Sequence, residues 1–486
     1  MSKSTNPGAT RRRLIGLIGG PLAAGIMLLA GPPAGLGQDA WFVAALTVLM
    51  ATWWVSEALP IAATALLPAA ALPLLGVSSP EQTMAAYANP MIFLFLGGFL
   101  IAMAIQRWGL HRRIALLILS ITGGRDDLLV AGFMGATALL SMWVSNTATA
   151  AMMLPIGLSV IGLVESSSGK TDRHFTLALL LGIAFGANIG GLGTLIGTPP
   201  NAFLAGYIGD RFEMQIGFAQ WMAVGVPVSA TMLVLAWWVL TRWAFPLPGQ
   251  AIAGVGELIE QERRQIGPMQ RTERRVAVVF VLTALAWVMR PWLESILPGA
   301  VAISDAGIAL VGALALFLVP ADVRRLKFLL DWEDTRGLPW GVLVLVGGGL
   351  ALGVAIDESG LAGAIATLLS GMGDWPAPLL VLSVAVLAAL MSHVTSNTAT
   401  AATLLPLVTS LALTIGIHPL LLGVPVALAA SAAFMLPVAT PPNAIVFGSD
   451  RITVPDMVRA GALLTFAGAG VATLAAFLLA PRVLGF

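Results

Sequence analysis

The sequence predicts an all-α polytopic membrane protein, with about eleven transmembrane helices and two re-entrant hairpins arranged as two repeats of inverted topology. Three observations carry this. The 486-residue chain is 58% hydrophobic and only 10% charged, with a mean hydropathy of +0.92. That leaves too little polar surface to cover a soluble particle of this size. Residues 128–164, 175–209 and 375–449 hold no Asp, Glu, Lys or Arg, yet are dense in Gly, Pro, Ser, Thr and Asn, poor material for plain lipid-facing helices. Finally, one polar motif occurs twice in matching surroundings. The absence of cysteine excludes thiol catalysis, disulfides and cysteine-held metal centres.

Apolar runs at 14–30, 40–57, 60–77, 90–106, 216–241, 276–292, 302–319, 338–356 and 458–480 read as spans. Trp41, Trp53, Trp54, Trp108, Trp237, Trp238, Trp243 and Trp292 lie near their ends, as interface anchors do. Arg11, Arg12 and Arg13 before the first run resemble a secretory signal, but the many apolar runs that follow favour an uncleaved first span with a basic cytoplasmic flank. The segment 128–164 is too long for one crossing and short for two. Basic residues flank both its ends, Arg125 before and Lys170 and Arg173 after, so it reads as a hairpin entering and leaving from one side. The run 175–209 is then a broken span, and 375–449 a second hairpin (376–415) followed by a second broken span (419–449). Residues 246–275 mix charges of both signs and read as a solvated cytoplasmic linker, with Glu257, Glu260 and Arg264 near one face of an amphipathic helix.

The distribution of positive charge tests this count. With the N-terminus in the cytoplasm and the C-terminus outside, all but three of the 25 Lys and Arg fall on cytoplasmic segments; Arg211, Arg290 and Arg482 remain outside. Treating 128–164 as a single crossing would invert every later loop and destroy the bias.

The repeat is explicit. Ser145 to Pro155 matches Ser396 to Pro406 at nine of eleven positions, an offset of 251 that also pairs Ser141 with Ser392 and Gly98 with Gly349. Downstream, Thr198-Pro199-Pro200-Asn201-Ala202 recurs as Thr440-Pro441-Pro442-Asn443-Ala444 at an offset of 242. The repeats occupy 90–245 and 338–486, with 1–89 and 276–337 outside them. An odd number of crossings separates their starts, so they have opposite orientations, the arrangement of secondary transporters with a midplane site.

Ser, Thr and Asn cap helix N-termini and Pro favours the first turn. Each hairpin's second arm therefore starts at Ser145-Asn146-Thr147 or Ser396-Asn397-Thr398, and each broken span restarts at Thr198-Pro199 or Thr440-Pro441. Four helix starts converging at membrane depth suit an anion, and irregular backbone there has to line a cavity. Each start contributes about 0.3–1 kcal/mol, about 2 when favourably buried, against about 3 per charge for bringing a dianion to that depth. No Lys or Arg lies in the motif-bearing stretches, so a co-bound cation is expected to make up the difference. Carbonyls of unwound backbone beside Ser and Asn oxygens suit Na⁺. His393 is a candidate proton relay or substrate contact, set against the commoner role of a hydrogen-bonded packing residue. His418 is expected at a helix end, and Glu57 to pair or snorkel at an interface. The run Gly191-Leu192-Gly193-Thr194 is no nucleotide fingerprint, because no βαβ unit surrounds it.

Ser141-Met142-Trp143-Val144-Ser145-Asn146-Thr147-Ala148-Thr149, the second Ser396-Asn397-Thr398, both Thr-Pro-Pro-Asn segments and Trp53-Trp54…Glu57-Ala58…Thr64-Ala65-Leu66-Leu67-Pro68 resemble the divalent anion/sodium symporter family over nearly the whole chain. The resemblance implies a homodimer working as an elevator, with scaffold helices in 1–89 and 276–337 holding a mobile transport domain. It implies substrate carboxylates on Ser145, Asn146, Thr147, Ser396, Asn397 and Thr398, with Thr198, Pro199, Thr440 and Pro441 beside them. It further implies one Na⁺ at Ser141, Ser145, Asn146 and Gly197 and another at Ser392, Ser396, Asn397 and Ala439. His393 departs from the pattern, standing where many relatives carry an acidic residue.

The expected function is Na⁺-coupled symport of succinate-like C4-dicarboxylates across the cytoplasmic membrane, with no organic cofactor and no nucleic-acid partner. Sodium-independent exchange and a sulfate or other inorganic-anion permease are the alternatives. An intramembrane enzyme is disfavoured, because no Ser/His/Asp set, paired carboxylates or HExxH occurs in the apolar segments. A non-transporting receptor would not require two anion-binding motifs.

Overall fold

The computed structural model describes residues 7–168, 172–296, 303–368, 371 and 374–486, helical almost throughout. Lys3 and Lys170, assigned above to the cytoplasmic side, lie outside the described residues.

The chain opens with α1 (Pro7–Ala30) and α2 (Gln38–Ser56), which pack together, Trp41 Nε1 donating to the Met27 carbonyl at 2.7 Å. Glu57 ends α2 in a left-handed conformation and pairs with Arg12 and Arg13. The expected span 60–77 is two short helices, α3 (Ile61–Thr64) and α4 (Leu67–Leu74), with Pro68 and Pro73 in the second. Next come α5 (Pro80–Tyr87), started by a Ser79/Gln82 capping box, α6 (Pro90–Arg107), capped by Asn89, and α7 (Leu110–Ile121). A helical hairpin, α8 (Asp126–Ser141) and α9 (Asn146–Ser168), leads into α10 (Arg173–Gly191), α11 (Pro199–Phe212) and α12 (Phe218–Trp238), the last continuing as a π-helical turn.

After α13 (Val255–Ile266) come α14 (Arg271–Ile296), α15 (Asp305–Leu318) and a two-stranded ribbon, β1 (Pro320–Asp322) with β2 (Lys327–Phe328). The second half repeats the first: α16 (Trp340–Glu358), α17 (Leu361–Leu368), a hairpin of α18 (Ala377–Met391) and α19 (Asn397–Thr414), α20 (Pro419–Ala430), α21 (Pro441–Phe447) and α22 (Val454–Leu478), closed by α23 (Ala480–Leu484).

Among the described residues, nine helices are long and apolar enough to cross a bilayer, against the eleven spans expected. Proline-interrupted 61–74, α15 and the half-helix α20 are too short alone, whereas α9, an arm of a hairpin, is long enough by itself. Within the segment read as a linker with an amphipathic helix, that helix forms as α13 and is docked. Helix α13 buries Val255 and Ile259 against α7 and α9, and Arg112 bonds Glu262 at 2.6 Å. Its charged face is real, but its other face is apolar and finds a partner.

Helix α10 is the axis of the first half, buried along most of its length and packed on α8, α9, α12 and α21. Gly186 and Gly190 allow α8 to approach backbone to backbone: a Cβ at Gly190 would lie 2.2 Å from the Ala138 oxygen, and one at Gly186 2.9 Å from the Met134 oxygen.

Candidate functional site

The polar breaks lie where the capping residues put them. Helix α9 starts at Asn146, with Ser145 Oγ accepting from the Ala148 amide at 3.3 Å; α19 starts at Asn397, with Ser396 Oγ accepting from Ala399 at 3.1 Å. Helices α11 and α21 restart after Thr198 and Thr440, each with proline in the first turn. The two hairpins are tied to the following helices identically. Ser141 Oγ reaches Asn146 Oδ1 (2.6 Å) and the Ala187 carbonyl (2.7 Å), while Ser392 Oγ reaches Asn397 Oδ1 (2.7 Å) and the Ala430 carbonyl (2.5 Å).

Each break loop is also held from inside by the asparagine of its Thr-Pro-Pro-Asn segment. Asn201 Nδ2 donates to the carbonyls of Thr194 (2.8 Å), Gly191 (3.2 Å) and Leu192 (3.4 Å). Asn443 Nδ2 donates to those of Leu436 (3.0 Å) and Ala433 (3.2 Å). The halves then cross-link. Asn188, one residue past the carbonyl that Ser141 uses, donates to Thr440 Oγ1 at 2.9 Å and Asn443 Oδ1 at 3.2 Å. Ser431, one residue past the carbonyl that Ser392 uses, lies 3.2 Å from Thr198 Oγ1.

These elements enclose one cavity of about 770 Å³. Ser145, Asn146, Thr147, Gly197, Thr198 and Pro199 line it from the first repeat, and Ser396, Asn397, Thr398, Ala439, Thr440 and Pro441 from the second. Asn146 and Asn397, 251 positions apart, thus face a common space. Ser141 and Ser392 stand behind the lining, fully buried, each gripping the asparagine in front of it. Asn146 sits beside Gly191 and Gly197: a Cβ at Gly191 would meet Asn146 Oδ1 at 2.9 Å and the Gly197 oxygen at 3.0 Å. The opposite wall is apolar, built from Ile61, Phe95, Phe99, Met103, Pro339 and Val342 with Gln106 at its edge. No charged side chain belongs to the lining among the described residues.

His393 lies outside this lining. Its Nδ1 pairs with the Ala389 carbonyl of α18 (2.7 Å) and its Nε2 accepts from the Met435 amide (3.1 Å), so one ring nitrogen is anchored to the hairpin and the other braces the second break loop. The equivalent Met142 does the same work with its backbone oxygen, which accepts from Thr194 Oγ1 at 2.5 Å. His418 caps α20 and stacks on Phe486 at 4.2 Å.

Sequence reasoning missed Asn188 and Ser431. Asn188 is the sole polar side chain in the apolar run from Leu177 to Gly193, a usable signal; Ser431 carries none, because serine in a membrane helix commonly bonds its own preceding turn.

A polytopic helical molecule that closes two pseudo-equivalent sets of helix starts around an uncharged cavity has the form of a membrane carrier. The chain matches the family described as the sodium:sulfate symporter transmembrane region over residues 13–481 and belongs to it. It is a transporter family, not an enzyme family. The chain is 42% identical, over all of its length and 94% of the relative's, to a sodium-dependent dicarboxylate transporter SdcS of Staphylococcus aureus. A Staphylococcus saprophyticus protein of the same name is equally similar. Among solved structures, the Alcanivorax borkumensis YdaH transporter superposes with a TM-score of 0.55 at 16% identity, covering 89% of this chain and 98% of its own. Neisseria gonorrhoeae MtrF, described among antimetabolite efflux pumps, gives 0.59 at 14% identity, covering 99% and 97%. At such identities these two speak for the fold alone.

Proposed function

We propose that the protein is a Na⁺-coupled symporter of C4-dicarboxylates in the cytoplasmic membrane. The observation that carries this is the pair of Ser-Asn-Thr helix starts facing one cavity from two repeats. Two separated N-termini match the two poles of a succinate-like dianion, whereas sulfate concentrates its charge at one centre. Ser145, Asn146 and Thr147 take one carboxylate, Ser396, Asn397 and Thr398 the other, with Thr198, Pro199, Thr440 and Pro441 beside them. The names of the SdcS relatives point the same way.

Sodium supplies the positive charge that the lining lacks. One ion would sit among Ser141, Ser145, Asn146 and the Gly197 carbonyl, another among Ser392, Ser396, Asn397 and Ala439. The hydroxyl, amide and carbonyl oxygens of these groups suit a hard cation at helix breaks. If more sodium charge enters than substrate charge, each net charge gains about 2.3 kcal/mol per 100 mV of membrane potential.

In this reading both hairpins are re-entrant, the repeats are inverted, the N-terminus is cytoplasmic and the C-terminus outside. The hairpins, broken spans, α12 and α22 move as an elevator past a scaffold that dimerises with a second copy. Pro60, Gln106 and Leu338 on the cavity wall lie at helix ends that the charge bias assigns to the cytoplasm, so this conformation opens inward. Uptake of labelled succinate into proteoliposomes, with an imposed Na⁺ gradient and without internal substrate, tests the proposal. Uptake driven by the gradient and competed by dicarboxylates supports it. Flux that ignores Na⁺ and requires internal substrate replaces symport with exchange, and competition by sulfate alone replaces the substrate.

A further inference from the structure

The two break loops share a plan but one is unfinished. In the second repeat, Asn443 uses its amino group on two loop carbonyls and its Oδ1 accepts from Asn188 Nδ2, which also serves Thr440 Oγ1. One donor nitrogen thus sits about 3 Å from two oxygens, as hydrogen bonding requires. In the first repeat, Asn201 spends its amino group on three loop carbonyls, and its Oδ1 is buried with no hydrogen-bond partner. Asn201 itself is completely buried. The position that should supply the donor is occupied by Ser431, which lies against Thr198 Oγ1 and does not reach Asn201. A buried carbonyl oxygen left without a partner is costly, and here its orientation is fixed, since turning the amide over would break three bonds.

We infer that the unpartnered Asn201 Oδ1, together with the Thr198 Oγ1 and Ser431 Oγ pair of the same crossing, marks a further monovalent-cation site, separate from the two at the hairpin tips. The chemistry asked for is that of the missing amino group: a small, positively polarised centre against a neutral amide oxygen that has no partner. Na⁺ meets it with hard oxygen ligands, and the site lies beside the C-terminal ends of α10 and α20, whose last carbonyls carry partial negative charge. Thr198 also lines the central cavity, giving an ion a route in. The second repeat has no such site because Asn188 fills it. This inference rests on the sodium-coupling reading above.

Serine 431 is the position to change. Ser431→Asn copies Asn188 and offers Asn201 the amino group it lacks, so it should displace the ion. Equilibrium binding of ²²Na⁺ to the purified full chain is expected to give one ion fewer per chain in Ser431→Asn than in the unaltered protein. Ser431→Ala removes one oxygen without supplying an amino group; it is expected to raise the half-saturating Na⁺ concentration several-fold with the ion count intact. An unchanged ion count in Ser431→Asn overturns the inference and leaves water as the occupant. If that variant does not fold, unchanged Na⁺ affinity in Ser431→Ala overturns it equally. Absence of ²²Na⁺ binding to the unaltered chain would instead refute the sodium-coupling reading.

Discussion

Residues equivalent by the repeat end in different states around the two breaks. Thr400 pairs with Thr395 at 2.5 Å; its counterpart Thr149 has Val144 at that place, and its hydroxyl is buried without a partner. Asn443 is satisfied on both ends of its amide, Asn201 on one. Met435 is held by an imidazole in the second loop, where the first uses the carbonyl of Met142. The helix starts, the hairpin serines and the cross-links between repeats are common to both halves, so duplication preserved the framework of the two breaks. What diverged is the ring of polar side chains behind it. The second repeat is finished with protein groups, whereas the first leaves buried oxygens unpartnered.

The largest effect should come from breaking what the repeats share. Asn146→Ala and Asn397→Ala each remove an amide from the cavity lining, at about 1.5–3 kcal/mol for a hydrogen bond to a charged group. Succinate affinity should fall about 10- to 100-fold in both. Isothermal titration would refute a two-pole anion site if one variant alone lost affinity. Next in size are the serines behind them. Ser141→Ala and Ser392→Ala each free an asparagine that the hydroxyl now fixes, and the Na⁺ concentration for half-maximal uptake should rise about tenfold, with a weaker effect on substrate competition at saturating Na⁺.

His393→Met copies the first repeat into the second. It leaves the Met435 amide unpaired, and about 1–3 kcal/mol of stability should be lost, seen as a lower melting temperature. The pH profile of uptake between about 6 and 8 should keep its shape, that being the range in which a free imidazole titrates. A flattened profile would make His393 a proton carrier after all. The smallest effect is a gain. Val144→Thr gives Thr149 the partner that Thr400 enjoys, for about 0.5–1.5 kcal/mol and a raised melting temperature. A loss of stability would mean that Thr149 already has an occupant.

Much of this architecture was legible in the chain. The duplicated Ser-Asn-Thr marks where α9 and α19 start and Thr-Pro-Pro-Asn where α11 and α21 start, because capping chemistry is local and has few solutions. Proline-shortened helices and the docking of α13 were not legible, since they depend on which neighbour covers an apolar face. The pairing of Asn188 with Thr440 escaped for a related reason. It joins residues 252 positions apart, and nothing in either local sequence names the other.

The glycines of α10 carry a mechanical consequence. With the Ala138 oxygen lying where a methyl group at position 190 would intrude, the first arm of the first hairpin packs backbone to backbone on its neighbour. Under the proposed elevator mechanism, the block that carries the solute would then slip as a unit along a weaker seam. The greasy face of Phe95, Phe99 and Met103 would serve as that seam, since sliding over it snaps no directional bond.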